Sequence, residues 1–185
     1  RVAALAGADS MYDALFKRHG VARCHSITSF VETLKFLHLG STGGGRLVSH
    51  SCSGGEAALA ADLAMNRKVS FPDYDATTAI RVRETLSELV TVSNPLDYHT
   101  FIWNQMDKMT ATFTASLSGG FDVAMLILDA PPPPMNAEAW YVAARAFKQA
   151  ALSTNARAAV VATLPECMPL DLAEELLAAG VSPML

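Results

Sequence analysis

From Arg46 onward, apolar positions fall into short runs and longer stripes that take turns along the chain. Arg46-Leu47-Val48-Ser49-His50 is short and alternating, so 46–51 is predicted as a strand. Ala57–Ala64 is built almost wholly of strong helix formers and predicts a helix over 56–66. Lys68–Phe71 is a short, weak strand candidate. Pro72-Asp73-Tyr74-Asp75 is a turn whose last residue can cap a helix from Ala76 to about Leu89, with Ile80, Val82 and Leu86 as its stripe. Val90-Thr91-Val92-Ser93 is β-branched and predicts a strand, with Asn94–Tyr98 as the loop after it. Phe101–Leu117 reads as one helix, broken by Gly119-Gly120. Val123–Leu128 is continuously apolar, as in a central parallel strand covered on both faces. Asp129 and Pro131–Pro134 form its exit loop, and Glu138–Leu152 is an alanine-rich helix. Ala158–Thr163 is a further buried strand with Leu164-Pro165-Glu166 as exit loop. Leu170–Ala179 is a helix stopped by Gly180, and Val181–Leu185 begins another strand.

Strands separated by single helices require right-handed crossovers and a parallel sheet. The fold class is therefore α/β: a flavodoxin-like parallel sheet with helices on both faces, in three α/β/α layers, with strand order 2-1-3-4-5 expected. In such a sheet the loops Ser53–Glu56, Asn94–Asp97, Asp129–Pro132 and Leu164–Glu166 share the carboxyl edge, where ligands bind. The first two are expected to flank the switch point, leaving strands 1 and 3. Upstream, Asp9 or Ser10 can start a helix to Arg18, with Met11, Leu15 and Phe16 on one face. Val21–Cys24 is a short strand candidate, and Ser29 with Glu32 forms a capping-box pattern before Phe30, Leu34 and Leu37. Ser41-Thr42-Gly43-Gly44-Gly45 has linker composition. Residues 1–40 are thus read as a helical segment and 41–185 as the α/β domain. A start without methionine and a strand-like end suggest a fragment of a longer protein.

Composition narrows the function classes. The chain has 185 residues, 51% of them hydrophobic, and a formal net charge of −4. Neither nucleic acid nor an anionic membrane surface is implied by that balance. No stretch is long and apolar enough to span a bilayer, and no leader is visible. Cys24, Cys52 and Cys167 lack metal-ligand spacing and suit reduced thiols, so the expected location is cytoplasmic, with no metal site.

The chemistry-bearing stretch is Ser49-His50-Ser51-Cys52-Ser53-Gly54-Gly55-Glu56 with the helix behind it. Glycines in the turn let a ligand approach the backbone. A helix starting there presents free N–H groups and the positive end of its dipole, which together make an anion site. Ser53, Gly54, Gly55 and Glu56 are the phosphate-binding candidates. Cys52 lies where a thiol pKa would be lowered, but no partner histidine is evident and the plain reading is a small turn residue. Among the histidines, His19, His25 and His38 lie near element ends; only His50 and His99 lie near the expected edge.

Ser53–Asp62, followed downstream by Ser93-Asn94-Pro95-Leu96-Asp97, resembles the NDP-forming acyl-CoA synthetases of the succinyl-CoA synthetase superfamily. Leu5-Ala6-Gly7-Ala8-Asp9, Tyr12–Phe16 and Gly20-Val21 are similar to the segment that follows that family's phosphohistidine. The resemblance implies a relay: ATP phosphorylates a histidine, the phosphoryl group passes to a carboxylic acid, and CoA displaces phosphate to give the thioester. It implies that Ser53, Gly54 and Gly55 face the phosphohistidine. Glu56 reads first as a first-turn carboxylate suited to the dipole and second as a contact to the histidine. Asn94 and Asp97 are second-loop candidates, Asp97 first as a loop or cap residue. For the parent enzyme the resemblance implies ATP, Mg and CoA, with no cofactor bound by this domain alone. The implied partners are ATP-grasp and CoA-binding domains in the same or a partner chain and a carboxylic acid substrate, with an oligomer expected. One departure stands out: aligned without gaps, Arg1 falls on the family's histidine and Val2 on the threonine after it. That histidine then lies upstream or is lost, and the fragment alone is expected to be inactive. Two other readings remain open: a non-catalytic flavodoxin-like module binding another anion or a protein, and a free-standing flavodoxin-like cofactor binder.

Overall fold

The computed structural model describes residues 7–39 and 44–185. The chain divides into two compact units, Arg1–Leu34 and Lys35–Leu185. In the first, α1 (Asp9–Arg18) starts after Ala8 and buries no residue. The Arg23 guanidinium pairs with Asp9 and Asp13 on that helix. Residues 21–24 are not a strand; among the described residues this unit holds no strand to pair with, and the segment is tied to α1 by Arg23 instead. Helix α2 (Ile27–His38) begins earlier than Ser29 and Glu32 suggest. Its cap is a serine pair: the Ser29 N–H donates to Ser26 Oγ at 3.0 Å and the Ser26 N–H to Ser29 Oγ at 3.3 Å. Two orphan donors are thereby satisfied without a glutamate.

The second unit is the parallel sheet. Strands β1 (Leu47–Ser51), β2 (Leu96–Asp97), β3 (Val123–Ile127), β4 (Ala158–Val161) and β5 (Ser182–Met184) lie in the order β2-β1-β3-β4-β5, all parallel. Counted along the chain this is a 2-1-3-4-5 order, but the strands in its second and third places are not those the sequence reading puts there: 68–71 is expected second and 90–93 third. Between them run α3 (Gly54–Ala64), α4 (Ala76–Thr85), α5 (Met106–Leu117), α6 (Glu138–Thr154) and α7 (Leu170–Ala178). Asp75 caps α4 as its sequence foretells, accepting from the Thr77 and Thr78 N–H groups at 3.0 and 3.1 Å.

One face of the sheet carries the main core. Val48, Ala124, Leu126, Ala158 and Val160 bury their side chains there with Phe113, Phe147 and Leu176 from α5, α6 and α7. Arg145 and Lys148 of α6 both reach Glu175 of α7, which fastens these two helices side by side. Their ion pairs hold the Glu175 carboxyl below its ordinary range, the Arg145 bond being the larger cause. The opposite face carries α3, packed against β1 and β2. Right-handed crossovers dictate this split: β1 to β2 runs one way across the sheet, and every later crossover runs the other way.

Several boundaries differ from the sequence reading, each for a local reason. The expected third strand, 90–93, does not form; Leu96–Asp97, inside the segment expected to be the loop after it, pairs with β1 instead and is second in chain order. Its loop therefore leaves the edge strand, and the switch point falls between β1 and β3. Residues 68–71 contribute a single bridge, Arg46 to Ser70. Helix α4 stops at Thr85, where Arg83 turns to donate to the Ser87 carbonyl at 2.9 Å. The expected helix over 101–117 is a 3-10 turn at Thr100–Ile102 followed by α5, separated at Asn104, whose φ is +60°. The linker expected at 41–45 falls mostly outside the described residues.

His50, on β1, is fully buried between Phe113 and Phe147. Its Nδ1 lies 3.1 Å from the Met125 carbonyl, which can only accept. The Nδ1 therefore carries the proton and Nε2 accepts from Ser116 Oγ, 2.7 Å away. Ser116 has one proton to give, so Tyr74 donates to it across 2.8 Å. Burial pushes the imidazole pKa down from 6.5 to about 4, which the Met125 bond opposes only in part. The folded state favours the neutral ring, so the stabilisation is complete above pH 6.5 and is lost as pH falls toward 4. That loss amounts to about 3 kcal/mol. Urea unfolding between pH 7 and 4.5 should show it, and the slope should flatten by one proton in His50→Gln.

Candidate functional site at the carboxyl edge

The four strand-exit loops do meet at one edge. β1 delivers Ser51 at its end, whose hydroxyl donates to the Ser53 carbonyl at 2.9 Å and shapes the turn. Ser53 is the N-cap of α3, extended at φ −138°, yet its side chain makes no capping bond. Glu56 does not complete a capping box either: its Oε2 is buried with no hydrogen-bond partner. Gly54 and Gly55 are exposed. The N-terminus of α3 is therefore not closed by its own side chains, and its first N–H groups face the edge.

Asp97 pairs with Ser51 in the β1–β2 register and brings a carboxylate over this turn. A Cβ at Gly54 would lie 3.3 Å from Asp97 Oδ2, so glycine keeps the space between helix end and carboxylate open. Asp97 Oδ1 accepts from the His99 N–H at 2.9 Å, and Oδ2 lies 3.5 Å from His99 Nε2. His99 is held at φ +57° and stacks on Phe101, ring centroids 5.7 Å apart. From β3, Asp129 accepts from the Thr163 N–H at 2.7 Å and from its hydroxyl at 2.6 Å.

Acid groups thus surround a helix N-terminus. Burial raises the Glu56 pKa, and the charges of Asp129 and then Asp97 raise it further. Burial and the Glu56 charge likewise push the Cys52 thiol up, outweighing the helix-end effect expected from the sequence. Cys52 is a packing residue, and iodoacetamide at neutral pH should modify it more slowly than a free thiol; faster modification would require a base beside it. Burial also pushes the Tyr98 phenol well up, and its hydroxyl is buried without a partner.

Asn94 is placed differently from the other candidates. Its Oδ1 accepts from the Ser49 N–H at 3.1 Å, and its Nδ2 donates to the Leu47 and Pro72 carbonyls at 2.7 and 2.9 Å. The amide is consumed in holding β2 to β1. Ser53, Gly54, Gly55, Glu56 and Asp97 are brought together; Asn94 fastens the strand that presents Asp97. Arg1 lies outside the described residues. Sequence reasoning named the Asp129 loop but not Asp129 or Tyr98 as site neighbours. The signal for Asp129 was its place directly after a buried central strand. Among the described residues, no group of three His, Cys, Asp or Glu side chains is arranged to hold a metal ion. No described helix is long and apolar enough to cross a membrane.

The comparisons with known proteins fit this edge. No family model matches the chain. The ADP-forming acetate–CoA ligase of Methanocaldococcus jannaschii is 30% identical over 97 residues, 50% of this chain and 13% of that enzyme. The dinucleotide-forming acetyl-coenzyme A synthetase 1 of Ca. Korarchaeum cryptofilum, in its apo form, matches at TM-score 0.75 and 15% identity, over 98% of this chain and 39% of its own. Its complex with phosphate and ADP matches at TM-score 0.76 and 14% identity, over 97% and 38%. A protein from Pyrococcus horikoshii matches at TM-score 0.75 and 20% identity, over 97% and 41%. The structural matches establish the class, a flavodoxin-like α/β domain. The sequence match bears out the resemblance to the NDP-forming acyl-CoA synthetases. The chain spans only part of each of these relatives.

Proposed function

We propose that this chain is the flavodoxin-like domain of an NDP-forming acyl-CoA synthetase, and that the N-terminus of α3 docks that enzyme's phosphohistidine. In the reaction, ATP transfers its terminal phosphoryl group to the histidine and leaves as ADP. A carboxylic acid then takes the phosphoryl group from the histidine, giving an acyl phosphate. The CoA thiol attacks that carbonyl and releases phosphate. The observation that carries the reading is the uncapped α3 N-terminus, held open by Gly54 at the carboxyl edge of a chain similar to an ADP-forming acetate–CoA ligase.

The edge suits a group that is anionic on one side and an N–H donor on the other. Backbone N–H groups and the dipole favour the phosphoryl oxygens. Glu56 and Asp97 can accept from the ring N–H of the same histidine. ATP, magnesium and CoA are assigned to other domains, in the same or a partner chain. The test is to give the parent enzyme γ-labelled ATP and magnesium and to look for acid-labile protein-bound phosphate, then chase with CoA and acid. Label that forms and discharges supports the relay.

Loss of the family's histidine from the parent, rather than its lying upstream of Arg1, would favour a second reading. In that reading the histidine is lost and the edge binds another anion or a protein. Absence of label from a folded, ATP-binding parent decides for it.

A further inference from the structure

His99 stands in a backbone conformation that glycine alone adopts freely, with φ +57° and ψ 169°. Holding a histidine there costs stability, so its surroundings must fix it. Three contacts do so. Its N–H donates to Asp97 Oδ1 at 2.9 Å, its Nε2 lies 3.5 Å from Asp97 Oδ2, and its ring stacks on Phe101 with 25° between the planes. One ring is thus set against one carboxylate, on a side chain that remains 46% exposed.

The carboxylate oxygen that His99 faces is the one that faces the α3 turn, since a Cβ at Gly54 would lie 3.3 Å from Asp97 Oδ2. Through Asp97, His99 reaches the space above the free N–H groups of α3. That space is short of positive charge. The exit loops 52–56, 98–105, 128–137 and 162–169 carry the acids Glu56, Asp97, Asp129 and Glu166, and His99 is the only basic residue in them. Cys52, Tyr98 and Cys167, the other titratable groups of these loops, are all pushed up and stay uncharged at neutral pH. The helix end offers about half a positive charge, against roughly two negative charges on a phosphoryl group.

Resting on the reading of the α3 N-terminus as the dock of a phosphohistidine, we infer that His99 is a positioning residue of that dock. As an imidazolium it pairs with Asp97, cancels that carboxylate's charge beside the phosphoryl group and keeps Oδ2 turned toward the docked ring. At 3.5 Å the contact from Nε2 is an ion pair just longer than a hydrogen bond, as is common in a site without its ligand. The arriving phosphoryl group tightens it, because a nearby negative charge favours the charged ring. A mere staple for the loop would not need that charge: the bond from the backbone N–H to Oδ1 forms with any side chain at 99.

The test uses the parent enzyme, phosphorylated with γ-labelled ATP and magnesium. Label loss is timed after adding CoA with a mixture of acetate, propionate and benzoate, and separately after adding ADP. His99→Gln keeps a polar side chain without the charge. It should slow discharge by CoA and acids ~10-fold or more, the loss of one hydrogen bond to a charged group. Discharge by ADP, assigned to another domain, should stay at the parental rate. His99→Arg, with His99→Lys as a second variant should the first misfold, restores a cation and should bring the rate back to within about threefold of the parent. Every variant carries a side chain at the same φ, so the backbone strain is matched. Added to Asp97→Asn, His99→Gln should cost nothing further, because it acts through that carboxylate. A parental rate in His99→Gln overturns the inference. So do cationic variants as slow as His99→Gln, a further loss in the combined variant, or equal slowing of the ADP discharge, which would mean damage to the fold. The two ideas fail differently: a labelled parent with an unimpaired His99→Gln removes the role of His99 alone, and a parent that takes no label removes the relay and this role with it.

Discussion

Gly54→Val should lower acyl-CoA formation by the parent enzyme ~100-fold or more, the size of loss seen when one preorganised donor to a developing charge is removed. The cause is steric. Gly54 is the first residue of α3, and a Cβ there already meets Asp97 Oδ2 at 3.3 Å. Two valine methyls extend the side chain over the free N–H groups that follow, so a phosphoryl group could no longer reach them. The fold should not suffer, because Gly54 has an ordinary negative φ and is exposed. Replacing glycine at a helix position costs little and can stabilise. The expected pattern is unchanged urea unfolding with lost turnover and a phosphoenzyme that fails to form or to discharge. Gly54→Ala, whose Cβ alone meets the carboxylate, should fall between. Turnover of Gly54→Val within fivefold of the parent enzyme would sink the docking role.

What the sequence disclosed and what it hid divide along physical lines. The central strands β3 and β4 were legible because continuous apolar runs have few alternatives once a parallel sheet is inferred. The cap at Asp75 was legible because an N-cap is a local bond between residues two and three apart. The α3 turn was legible for the same reason, since glycines and helix formers lie side by side. The electrostatics of the site were not. Asp97 and Asp129 arrive at Glu56 from β2 and β3, and only the strand order brings them together. A helix end read as an anion site is in fact ringed by acids, and that changes which ligand it suits. Strand β2 was misplaced because its backbone ladder to β1 is only two residues long and the Asn94 side chain adds bonds to β1 beside it, whereas β-branched 90–93 carried the strand propensity. Ser29 and Glu32 matched a capping pattern, yet Ser26 supplied a nearer partner and moved the helix start.

Asn94→Ala should then be the most damaging single change to the fold, costing about 3 kcal/mol. It removes three hydrogen bonds at once and leaves the Ser49 N–H and the Leu47 and Pro72 carbonyls without this partner; unpaired buried groups cost about 1–3 kcal/mol each. The sum is held below the maximum because Leu47 and Ser49 keep their register with β3 on the other side. For a chain of this size that loss lowers Tm by about 10 °C. The urea midpoint should fall with an unchanged m value, since the surface exposed on unfolding is the same. Asn94→Asp separates the clamp from mere burial. It keeps an acceptor for the Ser49 N–H but sets a carboxylate oxygen against two carbonyls. It should be as unstable as Asn94→Ala at pH 7 and recover part of the loss in acid, where the protonated carboxyl can donate again. A loss under about 1 kcal/mol for the alanine variant would mean that β2 is held by its short ladder alone. Asp97 would then owe its place over Gly54 to Leu96 packing in the core. Because β2 carries Asp97 to the α3 turn, the clamp predicts coupling between fold and function: at temperatures where Asn94→Ala is still folded, its turnover should already be reduced.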